Sequence, residues 1–155
     1  MKLHIWVIFD KINFIMKKAN YRLINHTADI GIEFIGASLF EIFENAALSL
    51  FDLIVGLDKI QQEEEREFLL EDDSLENLFI FFLNELIYYC FVKNFLACKF
   101  HIKIEEQYKL YVKMRGELKK EYHEIKEEIK AATFHDFILQ ENKDGTFFAR
   151  VIFDI

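Results

Sequence analysis

Residues 129–154 read IKAATFHDFILQENKDGTFFARVIFD, two apolar runs joined by Asn142-Lys143-Asp144-Gly145. Asp-Gly between such runs is a hairpin signal, because glycine accepts the positive φ that a tight turn demands. The spacing predicts one strand from Ile129 to Leu139 and a return strand from Thr146 to Asp154. Phe147, Phe148, Val151, Ile152 and Phe153 crowd the return strand, and Asp154 and Ile155 follow them at its end. A loose tail has no need of five large apolar side chains. The strand is therefore expected to dock, holding the Asp154 carboxylate and the carboxylate of Ile155 at one fixed point. Hard cations take oxygen ligands of this kind. Counting back from a loop centred on Asp144 and Gly145 sets Asp154 opposite Phe134 or His135, with Lys130 and Thr133 near by.

The same period of two recurs upstream. From Phe95 onward, Leu96, Cys98, Phe100, Ile102 and Ile104 alternate with Ala97, Lys99, His101, Lys103 and Glu105, the pattern of a half-buried strand. Tyr108 to Met114 repeats it and is expected to stop at Gly116, with Glu105-Glu106-Gln107 as the turn between the two. Tyr21 to Asn25 and Gly31 to Ile35 read as strands flanking a polar corner, His26-Thr27-Ala28-Asp29. Phe68 to Leu70 is a short extended segment after a charged connector, Gln61 to Arg66. Two helices interrupt this order. Ser38 with Glu41 forms a capping box ahead of Phe40, Phe43, Ala47, Leu50 and Ile54, which predicts a helix from about Leu39 to Val55. Asp73 with Glu76 opens a second helix, running to about Lys93, with Leu75, Phe79, Phe82, Leu86 and Tyr89 on one stripe and apolar neighbours on the others. Lys119 to Glu128 is a charged run, either loop or solvated turn. The order predicts an α+β fold: a single compact domain, mainly antiparallel sheet with two helices packed on it.

Composition narrows the function. A chain of 155 residues with 52% apolar content and 18 Phe can build a full core. Its 19 basic and 27 acidic residues leave a net charge of -8, which repels a phosphate backbone, so direct nucleic-acid binding is disfavoured. Cys90 and Cys98 lie in apolar stretches with no zinc or disulfide spacing, which suits a reducing, cytoplasmic setting. Leu3 to Phe9 is too short for a secretory signal, is interrupted by His4, and lacks a small-residue cleavage site. Leu75 to Val92 carries Glu76, Asn77, Asn84 and Glu85 and is no membrane span.

The residues that carry chemistry each have an ordinary reading beside the functional one. Asp29 in its corner can simply bond its own loop, Asp154 can be a solvated strand end, and Lys130 an edge-strand charge. His26 and His135 can each be a satisfied core histidine. The carboxylates Glu63-Glu64-Glu65 and Glu127-Glu128 are most simply solvated faces.

Several of these positions match one pattern together. His26-Thr27-Ala28-Asp29-Ile30-Gly31-Ile32, then Gly36 and the helix Leu39-Phe40-Glu41-Ile42-Phe43-Glu44-Asn45-Ala46-Ala47, closely resembles the N-terminal signature of the archease family. The resemblance continues through Leu83-Asn84-Glu85-Leu86, Gly116-Glu117, Ile129-Lys130-Ala131-Ala132-Thr133-Phe134-His135 and Arg150-Val151-Ile152-Phe153-Asp154-Ile155. It implies an archease domain over residues 21–155, with residues 1–20 an N-terminal extension. Archeases are small cytoplasmic proteins that activate RtcB-type RNA ligases, which join tRNA exon halves through a guanylylated histidine. The resemblance therefore implies a non-catalytic accessory protein that promotes ligase guanylylation and multiple turnover. It implies metal ligation by Asp29, Asp154 and Ile155, a functional role for Lys130, and partner or phosphate contacts by His26 and His135. An all-oxygen set suits Ca²⁺, Mg²⁺ or Mn²⁺. Expected partners are the ligase, a nucleotide at its interface, and tRNA only indirectly, with no membrane.

Two other classes compete. A metal-dependent phosphoester hydrolase would use the same acids around a cation, yet the sequence offers no nucleophile with an adjacent base and no Gly-rich phosphate loop. A metal-independent, chaperone-like binding module would be indifferent to chelators and to loss of the acids.

Overall fold

A computed structural model describes residues 19–24 and 28–155. In chain order its elements are β1 (Tyr21–Ile24), β2 (Ile30–Gly36), α1 (Leu39–Ile54), a short 3₁₀ turn (Leu57–Lys59), β3 (Glu64–Glu71), α2 (Leu75–Phe91), β4 (Phe95–Glu105), β5 (Lys109–Leu118), β6 (Ala131–Glu141) and β7 (Phe147–Asp154). The strands form two antiparallel sheets, one in the order β1-β2-β7-β6 and one in the order β3-β5-β4. Helix α1 packs against β2 of the first sheet and β4 of the second, and α2 against β6 and β4, so both helices bridge the sheets. The expected α+β domain is what forms, with its sheet divided in two. Among the described residues no helix is long and apolar enough to cross a membrane.

The helices form where the capping chemistry puts them. Ser38 Oγ accepts the Glu41 N–H at 3.1 Å, and Glu41 reaches back to the Ala37 N–H at 3.3 Å. The helix stops where the N–H groups of Val55 and Gly56 both turn onto the Phe51 carbonyl, at 3.0 and 3.2 Å, and Gly56 takes a φ of 99°. The second helix begins one residue later than Asp73 suggested. Its cap is Ser74, which accepts the Asn77 N–H at 3.2 Å, while Asp72 Oδ1 accepts the Ser74 N–H at 2.9 Å. It ends at Phe91, because Asn94 adopts φ 55° and turns the chain toward β4.

Rings from α1, α2 and the sheets fill the interior. Phe43 meets Phe79 edge-on at 4.9 Å and Phe82 at 5.3 Å, Phe51 meets Phe100 at 5.9 Å, and Phe79 stacks on Phe137 at 6.0 Å. Each such buried ring contributes about 1.5–3 kcal/mol of transfer free energy.

Two strands run longer than the sequence pattern suggested. β3 begins at Glu64, inside the stretch expected as a charged connector, because it pairs only with β5 and can leave Glu65, Glu67, Leu69 and Glu71 in solvent. β5 continues through Gly116 to Leu118. A Cβ on Gly116 would overlap the Leu96 carbonyl oxygen, so the glycine permits close strand approach where it was expected to end the strand.

Candidate functional site

Strand register assembles the site. β2 and β7 pair from Gly36 with Phe147 to Ile30 with Phe153. Asp29 immediately precedes Ile30 and Asp154 immediately follows Phe153, so the two acids flank the same end of this strand pair. Successive strand residues alternate between faces and Phe153 is fully buried in the core, so Asp154 lies on the sheet's outer face. Asp154 is exposed and Asp29 half-buried. The corner that delivers Asp29 turns at Ala28, whose φ of 67° is unusual for a residue with a Cβ and fixes the direction in which β2 starts.

On the other side of β7, Ala131 pairs with Asp154, and the Lys130 N–H donates to the Asp154 carbonyl at 2.8 Å. The main chain at Lys130 therefore meets Asp154 at the end of the sheet from which Asp29 leads into β2. Ile155 follows at the same end, 44% exposed.

The register corrects the expected pairing of Asp154 with Phe134 or His135. Near the turn the count is sound, with Glu141 opposite Phe147. Between Thr133 and Ile138 it slips by three residues, a bulge in which Asp136 has φ 49°. Those unpaired residues bring Ala131, and not Phe134, to Asp154. His135 consequently sits in the bulge, exposed, with its Nε2 3.3 Å from the Asp136 carboxylate, and the ladder does not carry it to the acids. His26 lies outside the described residues.

Farther along the same face, Gly31 and Ile152 form a close-packed row. A Cβ on Gly31 would run into Ile24. Beyond it Glu33 is bonded by Arg22 at 2.7 Å and approached by Arg150 at 3.7 Å.

Three polar groups act through partners distant in sequence; Asn84 and Glu117 lie in stretches that carry the family resemblance, which implied no role for either, and His123 lies outside them. Asn84 on α2 accepts the Ala132 N–H at 2.8 Å and donates to the Ala132 carbonyl at 3.1 Å. Glu117 is fully buried at the root of the loop that leads to Lys130. It accepts the Gln61 N–H and the Tyr122 hydroxyl, the latter at 3.0 Å, and pairs with Lys120 at 3.3 Å. Burial alone would raise this carboxyl, but those donors prevail and hold it below its ordinary value. His123, equally buried, accepts the Lys120 N–H at Nδ1 (2.9 Å) and lies 3.1 Å from the Lys59 carbonyl at Nε2. With Nδ1 occupied as an acceptor, a neutral ring carries its proton on Nε2. The loop from Lys119 to Lys130 is thus pinned at its start by Glu117 and His123, and farther on by the Lys126 N–H to the Ile54 carbonyl at 2.7 Å. His123 falls in the run from Lys119 to Glu128, which resembles solvated charge, and Asn84 in an apolar helix, which hides them.

The end of the sheet carries two side-chain carboxylates, Asp29 just before β2 and Asp154 at the end of β7, with Ile155 following. Among the described residues no three His, Cys, Asp or Glu side chains cluster closely enough to hold an ion by themselves. Such a set fits a hard cation that takes carboxylate, main-chain and solvent oxygens, and it lacks the nitrogen and sulfur ligands of a zinc centre.

A model of the Archease protein family (MTH1598/TM1083) matches residues 21–155. The chain belongs to the archease family. It is 43% identical over 134 residues to protein archease of Pyrococcus abyssi, covering 84% of this chain and 94% of that relative. It is 36% identical over 140 residues to protein archease of Methanosarcina mazei, covering 87% and 95%. Among solved structures it resembles protein 1598 of Methanobacterium thermoautotrophicum, with TM-score 0.72 at 32% identity over 87% of this chain and 98% of that one. It also resembles an archease of Thermotoga maritima described as a possible chaperone, with TM-score 0.63 at 30% identity over 86% and 96%. These likenesses extend over both sheets and both helices of the archease fold described above.

Proposed function

We propose that this chain is a non-catalytic accessory protein that activates an RtcB-type RNA ligase in tRNA splicing, promoting guanylylation and multiple turnover of the ligase through its carboxylate site. The observation that carries this reading is the β2–β7–β6 register, which gathers Asp29, Asp154 and Lys130 at one exposed end of a sheet in a chain of the archease family. Asp29, Asp154 and Ile155 would hold a divalent cation, Ca²⁺, Mg²⁺ or Mn²⁺, which when bound supplies positive charge to phosphate oxygens. Lys130 partly neutralises the acids when the cation is absent, or reaches a phosphate of nucleotide at the ligase interface. His135 stands exposed in the β6 bulge, away from the ladder end that holds the acids, where a partner can reach it. The net charge of -8 favours a basic protein surface over RNA, so contact with tRNA is indirect, and two buried free cysteines suit a reducing, cytoplasmic setting.

The test compares Asp29→Ala and Asp154→Ala with the unaltered protein in a multiple-turnover assay with purified ligase. Both side chains face solvent or lie half-buried, so melting temperatures should stay within about 2 °C. Stimulation should fall by at least tenfold in each variant. Full stimulation by both, or stimulation unaffected by a chelator that strips the ligase-independent site, would favour the metal-independent binding module. Turnover of nucleotides or RNA ends by the protein alone would favour a hydrolase.

A further inference from the structure

The bulge on β6 creates a problem that the fold must solve. Above it, Ile138 to Glu141 are held in register by the hairpin turn. Below it only Ala131, Ala132 and Thr133 pair with β7, and three pairs cut off from the turn do not specify their own alignment. A slip of one residue would turn every side chain of this segment to the other face and carry Lys130 away from Asp154. Strand β6 is also a sheet edge, so its outward backbone groups lack a neighbouring strand.

Asn84 meets both needs. Its carboxamide accepts from the Ala132 N–H and donates to the Ala132 carbonyl, the pair of bonds that a further strand would make at that residue. Because Asn84 sits in the middle of α2, within a turn of the fully buried Leu83 and Leu86, its position is fixed by the core and not by the edge it serves. Thr133 adds a second pin from the opposite side, donating its hydroxyl to the Ile152 carbonyl at 2.8 Å. On the reading above that this end of the sheet is the working surface, we propose that Asn84 is a positioning residue: its amide clamp on Ala132 sets the alignment of Ala131–Thr133 against β7 and thereby places Lys130 beside Asp154. It touches no reacting group itself.

The experiment uses the full chain by NMR. In the unaltered protein, cross-strand NOEs should connect Ala131 with Asp154 and Thr133 with Ile152. Asn84→Leu, similar in size but without polar atoms, should weaken or shift these NOEs and speed exchange of the Ala132 amide by about twofold to tenfold, the range that one net hydrogen bond represents. NOEs between Ile138 and Arg150, above the bulge, should persist, which separates loss of alignment from loss of fold. Asn84→Asp keeps the acceptor and, while ionised, loses the donor. Its Ala132 protection factor, the exchange rate taken relative to the intrinsic rate at the same pH, should be intermediate at neutral pH and recover on acidification as the carboxyl regains a proton to donate, a dependence that mere packing would not produce. Unchanged Ala131–Asp154 NOEs and Ala132 exchange in Asn84→Leu would overturn the assignment. Lost alignment with reduced ligase stimulation supports it. Lost alignment with full stimulation supports the clamp and counts against the ligase reading, and the Asp29 and Asp154 variants would show that failure separately.

Discussion

Single residues decide what this fold tolerates, and Gly116 is the most constrained of them. A Cβ there would coincide with the Leu96 carbonyl oxygen, a backbone atom that cannot rotate away, so β4 and β5 would have to separate. Gly116→Ala should cost about 3 kcal/mol or more, beyond the usual range for overpacking, and a urea titration showing a loss under about 1 kcal/mol would contradict the close approach. The cysteines make the opposite case, of groups silenced by where they sit. Burial pushes the Cys90 thiol up to about 12, and burial together with Glu117 pushes Cys98 up to about 11. Thiolate is the reactive form, so at about pH 8 neither should react with a disulfide reagent in the native protein, while both should titrate in denaturant. Rapid native labelling of either would show that its surroundings open.

The elements near the site show why some of it was legible and some was not. The hairpin from Ala131 to Asp154, both helices and the strands flanking Asp29 follow from period and turn chemistry, and Asp29, Lys130 and Asp154 fall at their ends. The bulge did not follow. It contains Phe134, His135, Asp136 and Phe137 with no glycine or proline to mark it, and Asp136 takes the positive φ that usually announces one. Asn84, Glu117 and His123 escaped for another reason: a polar residue acts as a clamp only through a partner distant in sequence, and no local pattern encodes Ala132 or Lys59. The loop from Lys119 to Lys130 turns this into a prediction. The Glu117 carboxyl is held below its ordinary value in the folded state, so its contribution is full above the ordinary carboxylate range and is lost as pH falls toward the lowered value. Glu117→Gln should therefore lose about 1.5–3 kcal/mol at pH 7, the worth of charge-assisted bonds, and the gap from the unaltered protein should close below about pH 4. A gap that stays constant to about pH 3 would mean the carboxylate charge does not stabilise the loop.

At the scale of the whole molecule, charge and architecture divide the labour. Both helices are shared between two sheets, so the core makes one rigid body in which the ends of β2, β6 and β7 are held by elements buried far from them. Such a body can present Asp29, Asp154 and Lys130 to a partner with little reorganisation on binding, which keeps the ordering cost of association low. The chain as a whole is acidic, with 27 acidic side chains against 19 basic. A field of that sign speeds encounter with a basic surface and contributes less once the two are in contact, because exposed charges gain little at close range in water and are screened beyond about 10 Å in 0.1 M salt. If the proposed partner is a ligase whose RNA-binding surface is basic, association and dissociation should respond to salt differently. Raising KCl from about 50 mM to about 500 mM should slow association by tenfold or more and leave the dissociation rate within about threefold. Stopped-flow mixing with the purified ligase measures both. An association rate indifferent to salt would mean that the net charge does not guide the complex, and salt acting mainly on dissociation would place buried ion pairs at the centre of the interface in place of a rim of screened charge.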